Sequence, residues 1–199
     1  MKKIVLFIFI AVASAFFTSN ASAQGKYGAD SAECIKYLSY YTEYYKQKNY
    51  EAALPNWRKA YSLCPPTARY SLLADGTTLM RREISKTTTS PAYKKELIDS
   101  LMTIYDQRVE FWPKYKVASL NNQALDMYNY LKDDNKAIYD GLSKIIKLNG
   151  KNTKPNIFLF YFNAAVSLYK DGLLDAEKLI ADYENAIDVI GTRSEEPHV

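Results

Sequence analysis

Apolar residues recur at intervals of three and four along most of the chain, the spacing of one face of an α-helix. The clearest case is the segment 37–65, YLSYYTEYYKQKNYEAALPNWRKAYSLCP. Its first half carries a tyrosine-rich face, formed by Tyr37, Tyr40, Tyr41 and Tyr44. Its second half carries Ala53, Trp57 and Ala60 at the same kind of spacing. The pattern predicts two antiparallel helices, with Trp57 filling the space that the alanines leave.

This segment resembles the tetratricopeptide repeat (TPR), whose pattern runs Trp-x2-Leu-Gly-x2-Tyr, then Tyr, Ala, Phe and Ala at fixed offsets, and closes with Pro. The residues at the family positions are Tyr37, Tyr40, Tyr44, Tyr50, Ala53, Trp57, Ala60 and Pro65. Tyr41 departs from the pattern, because the family has a small residue there, so we expect the first helix pair to be splayed or shifted locally. The resemblance implies a stack of helix pairs that binds a peptide or a partner helix.

The four-then-three spacing of the second helix returns three times downstream. Its members are Leu97, Leu101 and Ile104, then Ile138, Leu142 and Ile145, then Leu179, Tyr183 and Ala186. Counted from Ala53, the steps between first members are 44, 41 and 41 residues. The sequence therefore predicts an all-α, TPR-like solenoid of about four antiparallel helix pairs over residues 31–191.

Proline, glycine and polar clusters mark the predicted breaks between helices. The breaks fall at positions 65–66, 85–90, 112–113, 148–155 and 171–172. The segment 157–169 is apolar nearly all round, and its first six residues also fit a strand. We favour a helix, because Ala164, Ala165 and Leu168 continue the segment without a turn signal. The last predicted helix, 174–190, has one apolar stripe and a polar back, Lys178, Asp182, Glu184 and Asp188, which is typical of a capping helix.

Residues 1–23 have the pattern of a secretory signal peptide, with Lys2 and Lys3 before an apolar run at positions 4–17. Ala21-Ser22-Ala23 then forms a small-residue cleavage site. We expect cleavage after Ala23, because the apolar run is short for a bilayer-spanning helix; a retained anchor is the alternative. The mature protein would be periplasmic or secreted, without a stable membrane anchor, and would have a loose tail at 24–30 and a disordered tail at 192–199.

The charge balance bears on the class of partner. The chain has 26 basic and 22 acidic side chains, for a net charge of +4. Removal of the signal peptide takes away two lysines, so 24 basic side chains remain against 22 acidic ones, or +2. So small an excess argues against nucleic acid as a partner.

Residues that commonly carry catalysis are scarce in the sequence. The single histidine is His198, near the end of the chain. A glycine-rich phosphate loop, paired-cysteine metal spacing and a nucleophile elbow do not occur. We therefore expect no catalysis, no metal and no cofactor, although two carboxylates of a hydrolase can meet only in the fold.

The two cysteines, Cys34 and Cys64, stand at the start of the first predicted helix and the end of the second. An antiparallel hairpin brings these two ends together, and an exported chain meets oxidising conditions. A disulfide is the prediction, and two buried thiols are the alternative.

The TPR resemblance also implies a partner-binding groove along the first helix, lined here by Leu38, Thr42, Tyr45 and Lys46. Leu38 and Thr42 occupy positions where the carboxylate-binding members of the family need Lys and Asn, so recognition of a C-terminal carboxylate is not expected. The non-functional alternative is that these are ordinary exposed residues, or that Leu38 belongs to the core. A second functional hypothesis is carbohydrate binding by exposed aromatic rings. The sequence does not identify the partner protein or peptide.

Overall fold

A computed structural model describes residues 25–194, and the side chains of residues 25–191. The described chain is all-α and has eight α-helices. They are α1 (Ser31–Lys46), α2 (Tyr50–Leu63), α3 (Tyr70–Ser85), α4 (Pro91–Phe111), α5 (Lys116–Tyr130), α6 (Asn135–Asn149), α7 (Pro155–Lys170) and α8 (Ala176–Ser194). Short 3-10 turns at Pro113–Tyr115 and Gly150–Asn152 precede α5 and α7. The predicted signal peptide lies outside the described residues.

Helix starts follow local sequence signals. Asn49, Ser90 and Asp134 each accept a hydrogen bond from the backbone N–H three residues later, at 3.2, 3.3 and 2.9 Å. Such side chains satisfy amide groups that the first turn leaves without a partner. Pro91 occupies the first turn of α4, where a missing N–H costs nothing. Helix α7 is continuous, so the helical interpretation of 157–169 is confirmed.

Consecutive helices pack against one another along the chain. One apolar cluster joins α1 to α4, and a second joins α5 to α7 with contributions from α8. Of the three downstream sets with the four-then-three spacing, the first two are buried as predicted. They are Leu97, Leu101 and Ile104 on α4, and Ile138, Leu142 and Ile145 on α6. In the third set, Leu179 packs at the edge of the second cluster, and Tyr183 is 51 % exposed but lies against Phe162 of α7, with 5.5 Å between ring centroids.

The packing face of α1 differs from the predicted one. Tyr40 and Tyr44 are exposed, at 49 and 38 %, and Tyr37 is only partly buried. The fully buried positions are Cys34, Leu38 and Tyr41. The Tyr41 hydroxyl lies 3.4 Å from Ser71 and from Asp75 on α3. The side of α1 that faces the core therefore carries Cys34, Leu38 and Tyr41, and the predicted packing positions Tyr40 and Tyr44 lie outside it.

The other predicted packing residues of the first hairpin lie in or beside the core. Ala53, Trp57 and Ala60 are buried, and Tyr50 packs against them at the edge. Trp57 Nε1 donates a hydrogen bond to the Leu72 carbonyl at 2.7 Å, which fixes the indole against α3. Helices α2 and α3 can approach at this point because Gly76 has no side chain.

The predicted disulfide between Cys34 and Cys64 is confirmed. It joins the first turn of α1 to the end of α2, with the two Cα atoms 5.1 Å apart. Both residues are buried. The bridge closes the first hairpin at its open end.

The two predicted tails also differ from expectation. In the described part of the tail at 24–30, Gly28 N–H donates to the Gly25 carbonyl at 2.8 Å, and Tyr27 packs on the first apolar cluster. Gly28 also lies against Pro65. At the other end, α8 continues to Ser194, beyond the predicted end of the helical domain at residue 191. Among the described helices, none combines the length and apolar character that crossing a membrane requires.

Candidate functional site

Three successive grooves lie between the even-numbered helices. They are bordered by α2 and α4, by α4 and α6, and by α6 and α8, with cavities of about 280, 450 and 430 Å³. The intervening odd-numbered helix supplies the floor of each groove. One floor residue of each groove follows a regular interval: Met80, Leu120 and Tyr161 are 40 and 41 residues apart. Gln123 and Met127 also line the second floor, and Phe158 the third. The interval that spaces the core therefore also spaces the grooves.

The second wall of each groove, formed by α4, α6 or α8, also carries residues at equivalent positions in the three grooves. One set is Ser100, Gly141 and Asp182, at intervals of 41 residues. Another is Ile104, Ile145 and Ala186, again at intervals of 41. The third groove differs from the others at the first of these positions. It has the acidic side chain of Asp182, whereas the first groove has the hydroxyl of Ser100 and the second has Gly141, which has no side chain.

The Asp182 carboxylate is 5 % exposed and has partners on two helices. The Tyr139 hydroxyl of α6 donates to Oδ2, and the Lys178 ammonium pairs with Oδ1. The ring of Tyr161 stacks on that of Tyr139, with 5.0 Å between centroids. A buried carboxylate needs such partners, because burial without them costs several kcal/mol.

Protonation in this cluster follows from its contacts. Burial raises the pKa of Tyr161 far above its ordinary value, and hydrogen bonds to Tyr139 and Asp182 raise it further. The hydrogen bond to Asp182 raises the pKa of Lys178. Tyr161 and Lys178 therefore keep their protons at neutral pH and act as hydrogen-bond donors, so neither is poised to act as a base.

The remainder of the third groove is apolar with a polar rim. The apolar lining residues are Ile146, Phe158, Ala186 and Val189, and the polar ones at the rim are Ser143, Lys147 and Asn185. This combination suits a side chain that buries an apolar body and hydrogen-bonds at one end.

A second buried ionic cluster ties α3, α4 and α5 together. Arg81 Nε donates to both carboxylate oxygens of Asp126, at 3.1 and 2.8 Å, and Tyr105 donates to Oδ2 at 2.9 Å. Burial, followed by the charge of Asp126, raises the pKa of Tyr105 well above its ordinary range. Tyr105 is fully buried, so this cluster acts as a link between helices.

The stripe predicted to bind a partner is not a continuous surface. Leu38 is 3 % exposed and belongs to the core, as the non-functional alternative for that residue predicted. Tyr45 is half-buried and packs against the first apolar cluster, and burial raises the pKa of its hydroxyl. Thr42 is partly buried, and Lys46 alone of the four is well exposed.

Exposed aromatic rings occur at separate places. Tyr40 and Tyr44 lie on α1, Tyr169 lies near the end of α7, and Tyr183 lies on α8. Most of the other tyrosines pack at helix contacts. The described residues contain no group of three or more His, Cys, Asp or Glu side chains that could hold a metal ion. His198 lies outside the described residues.

Sequence reasoning missed the Asp182 cluster. It placed Asp182 and Lys178 on the polar back of a capping helix and gave no role to Tyr139 or Tyr161. The available signal was the alignment of Asp182 with Gly141 and Ser100 at the 41-residue interval.

The chain matches no protein-family model. No curated protein or solved structure shows significant similarity to it.

Proposed function

We propose that this chain is an exported, TPR-like helical-repeat protein that binds a peptide or a partner protein in its grooves and performs no catalysis. The observation that carries the proposal is the recurrence of one groove at three successive junctions, with equivalent residues on the floor and on the second wall. Regularly spaced grooves suit an extended segment that places one side chain in each.

The third groove is the preferred anchor point. It combines an apolar lining with the hydrogen-bonding groups of Asp182, Tyr161 and Lys178, so it can fix both the body and the end of one side chain. The disulfide supports an exported location, because such bonds persist in oxidising compartments.

Carbohydrate binding is the second candidate. Four exposed tyrosines favour it, since aromatic rings stack on sugars. Their division between α1 and the last two helices is a less suitable arrangement than one row of rings, so a peptide is the better-supported ligand.

The test uses the purified protein as bait in an extract of the native cell envelope, with a glycan array probed in parallel. Ala186→Phe fills the third groove, and Ala118→Phe adds the same volume on an exposed face of α5 outside the three grooves. We expect a captured protein that Ala118→Phe retains and Ala186→Phe loses by about tenfold or more in affinity.

Two outcomes would overturn the proposal. One is a partner bound equally by both variants, which would place binding outside the grooves. The other is glycan binding, or turnover on a hydrolase panel, that Ala186→Phe leaves unchanged. Circular dichroism of both variants ensures that lost binding does not reflect lost helix.

A further inference from the structure

Arg108 of α4 is a buried cation, and no carboxylate of the described chain pairs with it. The residue is 6 % exposed. Its one hydrogen bond to a described residue runs from Nη2 to the Tyr70 hydroxyl of α3, at 2.6 Å. The Nε–H group of Arg108 is buried and has no acceptor among the described residues. Burial of an unpaired charge is strongly unfavourable, so a further group is needed to compensate this one.

A neighbouring arginine shows how this fold compensates such a charge when a carboxylate is within reach. Arg81 Nε donates to both oxygens of Asp126, and the Tyr105 hydroxyl donates to the same carboxylate. The guanidinium of Arg108 lies over the ring of Tyr105, with 5.3 Å between Cζ and the ring centroid. Two arginines therefore lie against one tyrosine, and the single carboxylate there pairs with Arg81.

The carboxylates next to Arg108 on α4 lie on another face of the helix. Asp106 and Glu110 are exposed and border the second groove. Asp106 accepts a hydrogen bond from Gln123 at 2.9 Å. Neither carboxylate pairs with Arg108, so the described side chains of α4 do not supply the missing negative charge.

Two tyrosine rings interact with the faces of the guanidinium but not with its edge. The Arg108 Cζ lies 5.4 Å from the ring centroid of Tyr70 and 5.3 Å from that of Tyr105. Cation–π attraction acts across the face of a ring and stabilises the charge. The N–H groups of a guanidinium point outward in its own plane, so the rings do not satisfy Nε–H.

The polar groups left without a partner at this point are hydrogen-bond donors. The Tyr70 hydroxyl accepts from Arg108, and no described residue accepts the proton of that hydroxyl. Because Nε and Nη2 of Arg108 are bonded to the same carbon, the Nε–H and the Tyr70 hydroxyl are neighbours. Two adjacent donors beside a positive charge match the oxygens of an oxyanion, which guanidinium groups bind through two N–H donors or one.

We propose that Arg108 and Tyr70 bind one small free oxyanion, of the phosphate, sulfate or carboxylate class, between α3 and α4. The small exposed fraction of Arg108 suits a free ion better than a group carried on a protein chain. Stacking on Tyr115, with 3.8 Å between centroids, holds the Tyr70 ring in place. Neither Arg108 nor Tyr70 lines any of the three grooves, so this site is separate from them.

Isothermal titration calorimetry of the purified protein with phosphate, sulfate and acetate tests the proposal, in a chloride buffer of constant ionic strength. We expect saturable binding of one ion per chain for at least one of the three. The same ion should raise the thermal midpoint, and the rise should continue with the logarithm of its concentration above the dissociation constant. General salt effects on stability do not saturate and give no stoichiometry.

Three variants locate the site. Arg108→Gln removes the charge and the Nε–H donor, and should raise the dissociation constant by about a hundredfold or more. Tyr70→Phe keeps the ring on Arg108 and removes one donor, so the constant should rise about tenfold. Arg58→Gln is the matched control, because Arg58 also donates to a tyrosine hydroxyl and lies over that ring, that of Tyr93, but is exposed. It should bind the ion as the wild type does.

A wild-type protein that binds none of the three ions would overturn the proposal, since the tyrosine rings alone would then carry the charge of Arg108. Binding that Tyr70→Phe leaves unchanged, or that Arg58→Gln weakens as much, would also overturn it. If Arg108→Gln does not fold, the wild-type titration and Tyr70→Phe still decide between these outcomes.

Discussion

Gly76 shows how one residue sets the distance between two helices. A Cβ at this position would lie 2.3 Å from Trp57 Cζ2 and 2.8 Å from Cε2. The indole cannot easily retreat, because its N–H is bonded to the Leu72 carbonyl. For Gly76→Ala we expect a net loss of about 1 to 2 kcal/mol in the free energy of unfolding, since overpacking outweighs the gain in helix propensity. Urea denaturation measures it.

Two other glycines provide matched controls for this prediction. A Cβ at Gly191 meets nothing within 4 Å, so Gly191→Ala should be neutral or stabilise by up to about 1 kcal/mol. A Cβ at Gly141 meets the terminal methyl and sulfur of Met127, which is a flexible side chain, so Gly141→Ala should cost less than Gly76→Ala. Equal losses at all three positions would contradict the role given to Trp57.

Asp75 carries a pH dependence of known sign. Burial raises the pKa of its carboxyl above 3.8, against the opposing hydrogen bond from Tyr41. The folded state therefore binds this proton more tightly than the unfolded chain does. The stability linked to protonation is complete below pH 3.8 and is lost as the pH rises through the folded pKa.

For Asp75→Asn we therefore expect a more stable protein than the wild type at pH 7, because the buried charge is gone and the amide oxygen can still accept from Tyr41. The advantage should shrink as the pH falls toward about 4. Denaturant unfolding across this range measures the difference. Asp99→Asn, at an exposed position on α4, is the matched control substitution. An advantage that grows on acidification would refute the assignment.

The first hairpin is the element whose stability depends most directly on a covalent link. Cys34 and Cys64 are 30 residues apart, and closing a loop of that length should stabilise by about 3 to 4 kcal/mol on the chain-entropy view. Replacing both by Ala should lower the thermal midpoint accordingly. Reductant should lower the thermal midpoint of the wild type and leave the thermal midpoint of the variant unchanged. Two thiols that titrate in the oxidised native protein would contradict the bridge.

Periodicity was sufficient to predict the helices and most of their ends. It could not orient α1, because apolar residues at 37, 38, 40, 41, 44 and 45 surround much of the helix. Tyrosine also tolerates both core and surface, so the pattern left the buried face undetermined. The disulfide was predictable because it depends only on which helix ends meet.

The Asp182 cluster was not predictable in the same way. A charged residue between apolar ones on a helix usually faces solvent, and sequence alone gave Asp182 that position. Its burial depends on Tyr139, 43 residues earlier and on another helix. Contacts between helices, such as that of Tyr139 with Asp182, decide whether a polar residue is exposed or belongs to a buried site. The spacing of residues within one helix does not predict such contacts.

For the whole molecule, the proposed export would account for the disulfide, since such bonds form in oxidising compartments. Expression of the full chain in a bacterium should yield an envelope fraction whose mass begins at Gln24, with both cysteines oxidised. Ala23→Phe should block processing, because a bulky residue does not fit the small-residue cleavage site, and should hold the chain at the membrane by its apolar run.

Expression from residue 24 in the reducing cytosol should give the same fold without the bridge. This protein should be less stable by about 3 to 4 kcal/mol, the free energy lost with the disulfide. Intact mass and thiol titration of each fraction distinguish these states; a wild-type chain that keeps residues 1–23 would instead support the retained anchor.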